Sequence, residues 1–295
     1  MDSVLVAAIV SGVLQGALYG SVALGLSLVF GVMRVVNFAH GSFLMLGMYA
    51  AYLAARVTGL DVYVGLIVSP VLMFAFGYAV QRYLITPLYR RERAFVIEPT
   101  SVLILTAGLW LVLDNIVLIV LGPSYKTMPS AFSTIVQVGG LGVPLPRLLA
   151  AVGSGVLAVG LYALVMRSNI GRGIRATAQN RDAAALAGID VYRMYAITFG
   201  IAAAATGIAG ALLLPTFHVY PSVGFTFDIR AFLIVILGGL GSIPGTMAAA
   251  LVMGVVEAVA AQFVSGTYAQ FVFFVVFVVV LTVRPQGIFG RGFVQ

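Results

Sequence analysis

The sequence predicts an all-α fold: a polytopic bundle of transmembrane helices, some of them broken, with about eight or nine membrane segments in a single domain spanning residues 1–295. Three observations predict it. Hydrophobic residues make up 62% of the chain and charged residues only 8%, far from the average of soluble domains. Several apolar runs reach the roughly 20 residues that cross a bilayer. The basic residues gather in a few loops between those runs, as the positive-inside bias of membrane proteins requires.

The first run, residues 4–30, has neither a basic leader nor a small-residue cleavage site, so it is expected to be a retained span and not a removed signal peptide. Further runs cover residues 41–55, 62–80, 101–121, 148–166 and 194–214. A composite apolar region (231–264) and a last run (268–283) complete the series. Arg82, Arg90, Arg91 and Arg93 lie between the third and fourth runs, whereas residues 122–146 hold only Lys126 among Gly, Pro and Ser. The fourth run therefore reads as passing from inside to outside. Counting along the chain places the amino terminus outside and the carboxyl terminus, with Arg284 and Arg291, in the cytoplasm. Opposite ends demand an odd number of crossings. The expected solution is that residues 231–241 cross as a short broken segment and 245–264 return as a full helix. The alternative is a hidden break within residues 4–30, at Gly12, Gly16, Gly20 or Gly25.

Residues 167–193 carry five arginines against two aspartates. Such a cluster cannot sit in hydrocarbon and is assigned to the cytoplasm. Asn180 is a candidate N-cap, residues 183–187 are helix formers, Gly188 suits a left-handed C-cap, and Asp190 suits the cap of the next span. A helix of two or three turns is marginal alone. It is either a connector resting on its own spans or a docking helix for a cytoplasmic partner.

Two stretches in opposite halves resemble each other in kind: LVFGVMRVVNFAHGSFLMLG (28–47) and VILGGLGSIPGTMAAALVMG (235–254). Each reads as an apolar half-helix, a Gly-containing break and an uninterrupted helix, the pattern that marks binding sites in transporters. The candidate path residues are Asn37, His40, Gly41 and Ser42 at the first break. At the second they are Gly238, Gly239, Gly241, Ser242, Pro244 and Gly245. Glu257 joins them as an ionisable group inside an apolar run, and Asp114 and Asn115 are placed similarly. Packing alone also accounts for single glycines and for His40. The chain has no cysteine, no phosphate-binding Gly-Lys-Ser/Thr loop and no His-Glu-x-x-His. It is expected to be no enzyme, to need no metal or cofactor of its own, and to leave any ATP to another chain. Its charge of +7 follows from loop topology and points to no nucleic acid.

NFAHGS (37–42), RATAQNRDAAALAGID (175–190), LGGLGSIPGT (237–246) and VRPQGIFGR (283–291), in that order, resemble the branched-chain amino acid permease family of ABC importers, specifically its smaller permease subunit. The resemblance implies a multi-pass subunit of a bacterial-type inner membrane that moves branched-chain or related amino acids. It also implies a second homologous permease in a heterodimer, two cytoplasmic ATPase subunits and an external binding protein. The ATPase-coupling helix would then lie over residues 175–188, with Arg175, Gln179, Asn180, Arg181, Asp182, Ala185, Leu186 and Gly188 as its candidate contacts. Relatives often carry an acid where this chain has Gln179 and Asn180, and some carry one at the position of Ser42. Urea or small-amide permeases are close relatives and an alternative reading. An ion-coupled secondary transporter would also contain broken helices and an acid such as Glu257.

Overall fold

The computed structural model describes residues 2–91, 100–128, 130, 132, 134–138, 141–284, 287 and 288. The side chains of Arg90 and Arg91, and all of Arg93 and Arg291, lie outside the described residues. Among the described residues six helices are long and apolar enough to cross a membrane. They occur in α1 (Asp2–Met33), in the run from α3 (Gly65–Ala79) through a π-helical stretch (Val80–Ile85) into α4 (Thr86–Arg91), and in α5 (Thr100–Leu121), α6 (Leu145–Arg167), α9 (Val191–Leu213) and α11 (Ile243–Phe263). Between them run α2 (His40–Thr58), α7 (Asn169–Gln179), α8 (Arg181–Leu186) and α10 (Val223–Gly238), with α12 (Gly266–Val283) last. An antiparallel hairpin, β1 (Ile135–Val138) and β2 (Leu141–Pro144), joins α5 to α6 with Ile135 opposite Pro144.

Burial separates the centre from the rim. In the most apolar window of α1, 89% of residues are buried, against 22% in those of α5 and α6. A helix that is apolar all round belongs in a core, and α1 runs through the middle of this one. Its glycines are close-contact points, not breaks. A Cβ on Gly12 would lie 2.6 Å from the Val255 Cα, and one on Gly16 would lie 2.5 Å from the Ala250 carbonyl oxygen. With no hydrophobic force between helices in lipid, such small residues allow the dispersion contacts that hold them together. The predicted alternative break within residues 4–30 is therefore overturned. Ser69, buried on α3, adds polar glue: its hydroxyl lies 2.9 Å from the Gly47 carbonyl of α2 and 3.1 Å from the Gly207 carbonyl of α9.

The direction of the chain follows from these contacts. α1 packs antiparallel to α11, since Gly12 meets Val255 and Gly31 meets Gly241. Arg147, beside the hairpin, donates to Ser11 near the start of α1. At the other end Ile288 donates to the Leu237 carbonyl. The two described ends of the chain thus lie on opposite faces, one with the hairpin and one with the arginine loop. The composite region holds two antiparallel helices as expected, but the first begins at Val223 and not at residue 231.

The first break is displaced as well. α1 continues to Met33, and the chain leaves it through Arg34, a non-glycine residue at φ 55°. Residues 34–39 run back along α1, so α2 starts at His40, whose Nε2 donates to the Val22 carbonyl at 2.9 Å. Val22 is eleven residues before Met33, about 16 Å along the helix. Gly41 is consequently no break but part of the first turn of α2, deep inside the bundle.

Candidate functional site

The starts of α2 and α10 meet inside the bundle. Gly41 and Gly224 touch backbone to backbone, and a Cβ on either would collide with the other's carbonyl. The chain enters both helices by irregular segments, and buried backbone amides need partners. They have them. Asn37 accepts from the Ala39 amide through Oδ1 at 3.0 Å, and the Phe38 amide donates to Thr106 Oγ1 at 3.3 Å. Asn37 and His40, 4% and 2% exposed, are thus used up in shaping the re-entrant segment.

Acids gather where the free amides of α2 point. Asp228 lies against Gly41, with its Cβ 2.9 Å from where a Cβ on Gly41 would be. Ser42 Oγ donates to Asp114 Oδ1 at 2.6 Å, and the Trp110 indole donates to Oδ2 at 2.8 Å. Negative charge is stabilised at a helix N-terminus by the aligned peptide dipoles, so this pair of acids has a structural reason to stand here. Trp110 also stacks on the half-exposed Phe225 of α10, with centroids 5.5 Å apart and planes 7° from parallel. Of these partners, Trp110, Phe225 and Asp228 escaped the sequence reading. Two charges within three residues of an apolar stretch, Asp228 and Arg230, were the available signal.

Glu257 lies on α11, and its partner is the other overlooked charge. Arg230 Nη2 donates to Glu257 Oε1 at 3.2 Å, and both side chains are about one-sixth exposed or less, 15% and 16%. The guanidinium carbon sits 5.4 Å from the centre of the Tyr19 ring, midway along α1.

The second set of predicted path residues is not beside the first. α10 separates Gly224 from Gly238 by fourteen residues, about 21 Å of helix. Gly238, with Gly245 within 2.6 Å of where its Cβ would be, and Gly241, which abuts Gly31 of α1, form a tight crossing toward the arginine-loop face. Gly239 and Gly241 take φ of 89° and 83°, open to glycine at little cost. Ser242 caps α11 by accepting from the Gly245 amide at 3.2 Å, and Pro244 occupies the first turn, where no amide is needed.

On the arginine-loop face the expected single coupling helix over residues 175–188 is two helices that part at Asn180. α7, absent from the sequence reading, is capped by Ser168, which accepts from the Gly171 amide at 2.8 Å. Arg175 donates to the Val165 carbonyl at the end of α6 and so ties α7 to a span. Asn180 Oδ1 accepts from the amides of Asp182 and Ala183, both at 3.0 Å, and starts α8; such a cap contributes about 1 kcal/mol. α8 closes with a Schellman motif: Ile189 donates to the Ala184 carbonyl, Gly188 to that of Ala185, and Gly188 takes φ 84°. Asp190 then caps α9 through the Arg193 amide. Leu186 is 91% exposed at the tip. Gln179, Asn180, Arg181 and Asp182 share a cavity of about 470 Å³ with Arg34 and Val35 at the start of the re-entrant segment. Among the described residues no group of three His, Asp or Glu side chains is placed to hold a metal ion.

Residues 8–281 match the family model described as the permease component of the branched-chain amino acid transport system. Curated relatives carry the same description. The high-affinity branched-chain amino acid transport system permease protein LivH of Escherichia coli K12 is 31% identical, covering 97% of this chain and 95% of its own. Its Pseudomonas aeruginosa counterpart BraD is 32% identical over 97% and 96%. The probable LivH of Methanocaldococcus jannaschii is 27% identical over 94% and 92%. No solved structure matches.

Proposed function

We propose a function from one premise: the chain belongs to the permease-component family of branched-chain amino acid transport systems. A permease component is a transport subunit, not an enzyme. On our reading it is the membrane half of an ATP-driven importer in a bacterial-type inner membrane. It pairs with a second permease, receives branched-chain amino acids from an external binding protein and is driven by separate ATPase subunits on the arginine-loop face, which is then cytoplasmic. Residues 167–193 are the coupling element of this single permease domain.

The observation that carries this reading is the junction of α2 and α10 inside the bundle, because discontinuous helices at membrane depth are the construction of transport sites. A contact route leads there from the loop. α8 follows α7 directly, and Gln179 to Asp182 line one cavity with Arg34 and Val35. The re-entrant segment runs from these to His40, Gly41 and the acids. A displacement of α8 by nucleotide-driven closure of the ATPases would travel along that segment and alter the Gly41–Gly224 junction. The coupling works only if substrate binds the two arrangements with different affinity. Gly238, Gly239, Gly241, Ser242, Pro244 and Gly245 serve in this scheme as the fulcrum of α10 and α11 against α1.

Reconstitution tests the reading. Liposomes holding both permeases and both ATPases, with binding protein outside, are expected to accumulate labelled leucine when supplied with internal ATP. Uptake should survive a protonophore and sodium removal. Uptake that collapses with the ion gradient would make the chain part of a secondary transporter, and uptake of urea or acetamide in place of leucine would replace the substrate class.

A further inference from the structure

The Arg230–Glu257 pair stands at the mouth of a pocket of about 210 Å³ between α10, α11 and α12. That is below the roughly 300–1,000 Å³ of pockets for drug-sized molecules and suits a small metabolite. Its lining combines two chemistries. A guanidinium and a carboxylate stand side by side, 3.2 Å apart. Around them lie Phe225, Ile229, Leu233, Phe273 and Phe274.

The pair is incompletely satisfied. Among the described residues Arg230 directs N–H groups at two protein acceptors, Glu257 Oε1 and the Thr226 carbonyl at 3.2 Å, out of five donors in the fork. Glu257 Oε2 is buried and accepts no well-formed hydrogen bond, although the Tyr19 hydroxyl is near enough to interact with the carboxylate. A pair whose sole task was to join α10 to α11 would be expected to satisfy these groups, since an incomplete buried ion pair gains little stability. Charged groups inside a membrane face a polar cavity or partner. Gln270 provides a further polar group in the lining, exposed on the largely apolar α12.

We propose that this pocket is a substrate subsite for a zwitterionic α-amino acid with an aliphatic side chain. Arg230 takes the carboxylate, Glu257 takes the ammonium, and the phenylalanines with Leu233 cover the side chain. The inference rests on the transport function proposed above and gives it an address inside the permease. Phe225 links it to the acid junction, because the same ring lines the pocket and stacks on Trp110.

The test uses the assembled transporter and a diazirine analogue of leucine. Photolysis during ATP-driven uptake is expected to label peptides of α10 and α12 that contain Phe225 or Phe273. Excess leucine should suppress the label, whereas isovalerate, which lacks the ammonium, and isopentylamine, which lacks the carboxylate, should not. Label found elsewhere only, while uptake proceeds, overturns the subsite and leaves the transport reading intact; wild-type complex that takes up no amino acid overturns both. A double variant, Arg230→Met with Glu257→Met, removes both charges at once and avoids stranding one. It should assemble and lose leucine uptake by about tenfold or more, the equivalent of one charge-assisted contact. Wild-type uptake by that variant would make the pair purely structural and overturn the proposal; should the variant fail to assemble, the labelling map alone decides.

Discussion

Replacing Gly224 with alanine is expected to cost about 1–3 kcal/mol or more, enough to cause loss of assembled permease. The added Cβ would fall on the Gly41 carbonyl and meet its Cα at 3.0 Å. The Gly41 side is no more forgiving, since a Cβ there would lie 2.5 Å from the Gly224 carbonyl oxygen. Backbone cannot rotate out of the way as a side chain can, so α2 and α10 must part. That would draw Gly41 away from Asp228 and pull Ser42 from Asp114. The measurement is thermal unfolding of purified permease followed by the fluorescence of Trp110, the single tryptophan, which stacks on Phe225 beside the junction. The control is Gly155→Ala in α6, where a Cβ meets nothing within 4 Å; there alanine should match or exceed wild type, given its better helix propensity. A Gly224→Ala protein as stable as the control would remove the junction from its central place.

Deleting Arg181–Leu186 should have the opposite signature, a sound permease that no longer transports. α8 contributes little to the core: Ala184 is its single buried residue, while Asp182 and Leu186 are exposed. The Arg181–Asp182 pair, 3.7 Å apart and on the surface, adds little. Shortening a loop by six residues changes its closure entropy only slightly. Membrane insertion and the Trp110 signal are expected to stay normal, while ATPase co-purification and leucine uptake fall to background. Normal uptake would return the loop to the status of a connector.

What the sequence disclosed follows the range of the physics involved. Caps are local, so Asn180, Gly188 and Asp190 could be read directly and stand where expected. The family motifs pointed to a helical permease. Long-range features were hidden. Gly12, Gly16, Gly20 and Gly25 raised the alternative of a break because isolated propensity penalises glycine in helices, but α1 stays helical through them, packed against α11 and α9. α7 was missed because Gly171 and Gly173 lower helix propensity. Gly171 is nevertheless required, as a Cβ there would strike the Val165 carbonyl. The apolar run drawn from residue 231 began one residue after Arg230, and so excluded both Asp228 and the partner of Glu257. Trp110 looked like one more apolar residue, since nothing local shows that its indole faces Asp114 across one helical turn. His40 could be read either as a path group or as a hydrogen-bonded packing residue, and only the fold shows its ring meeting the Val22 carbonyl.

The central claim is that a motor outside the membrane acts on the permease through the tip of the arginine loop. The chain lacks cysteine, and Leu186 is 91% exposed, so Leu186→Cys places one reactive thiol at that tip. A membrane-impermeant maleimide should label it in inside-out vesicles stripped of ATPases, fail to label it in right-side-out vesicles, and be blocked when the ATPases are restored. Labelling from the external side, or labelling unaffected by bound ATPases, would contradict the account.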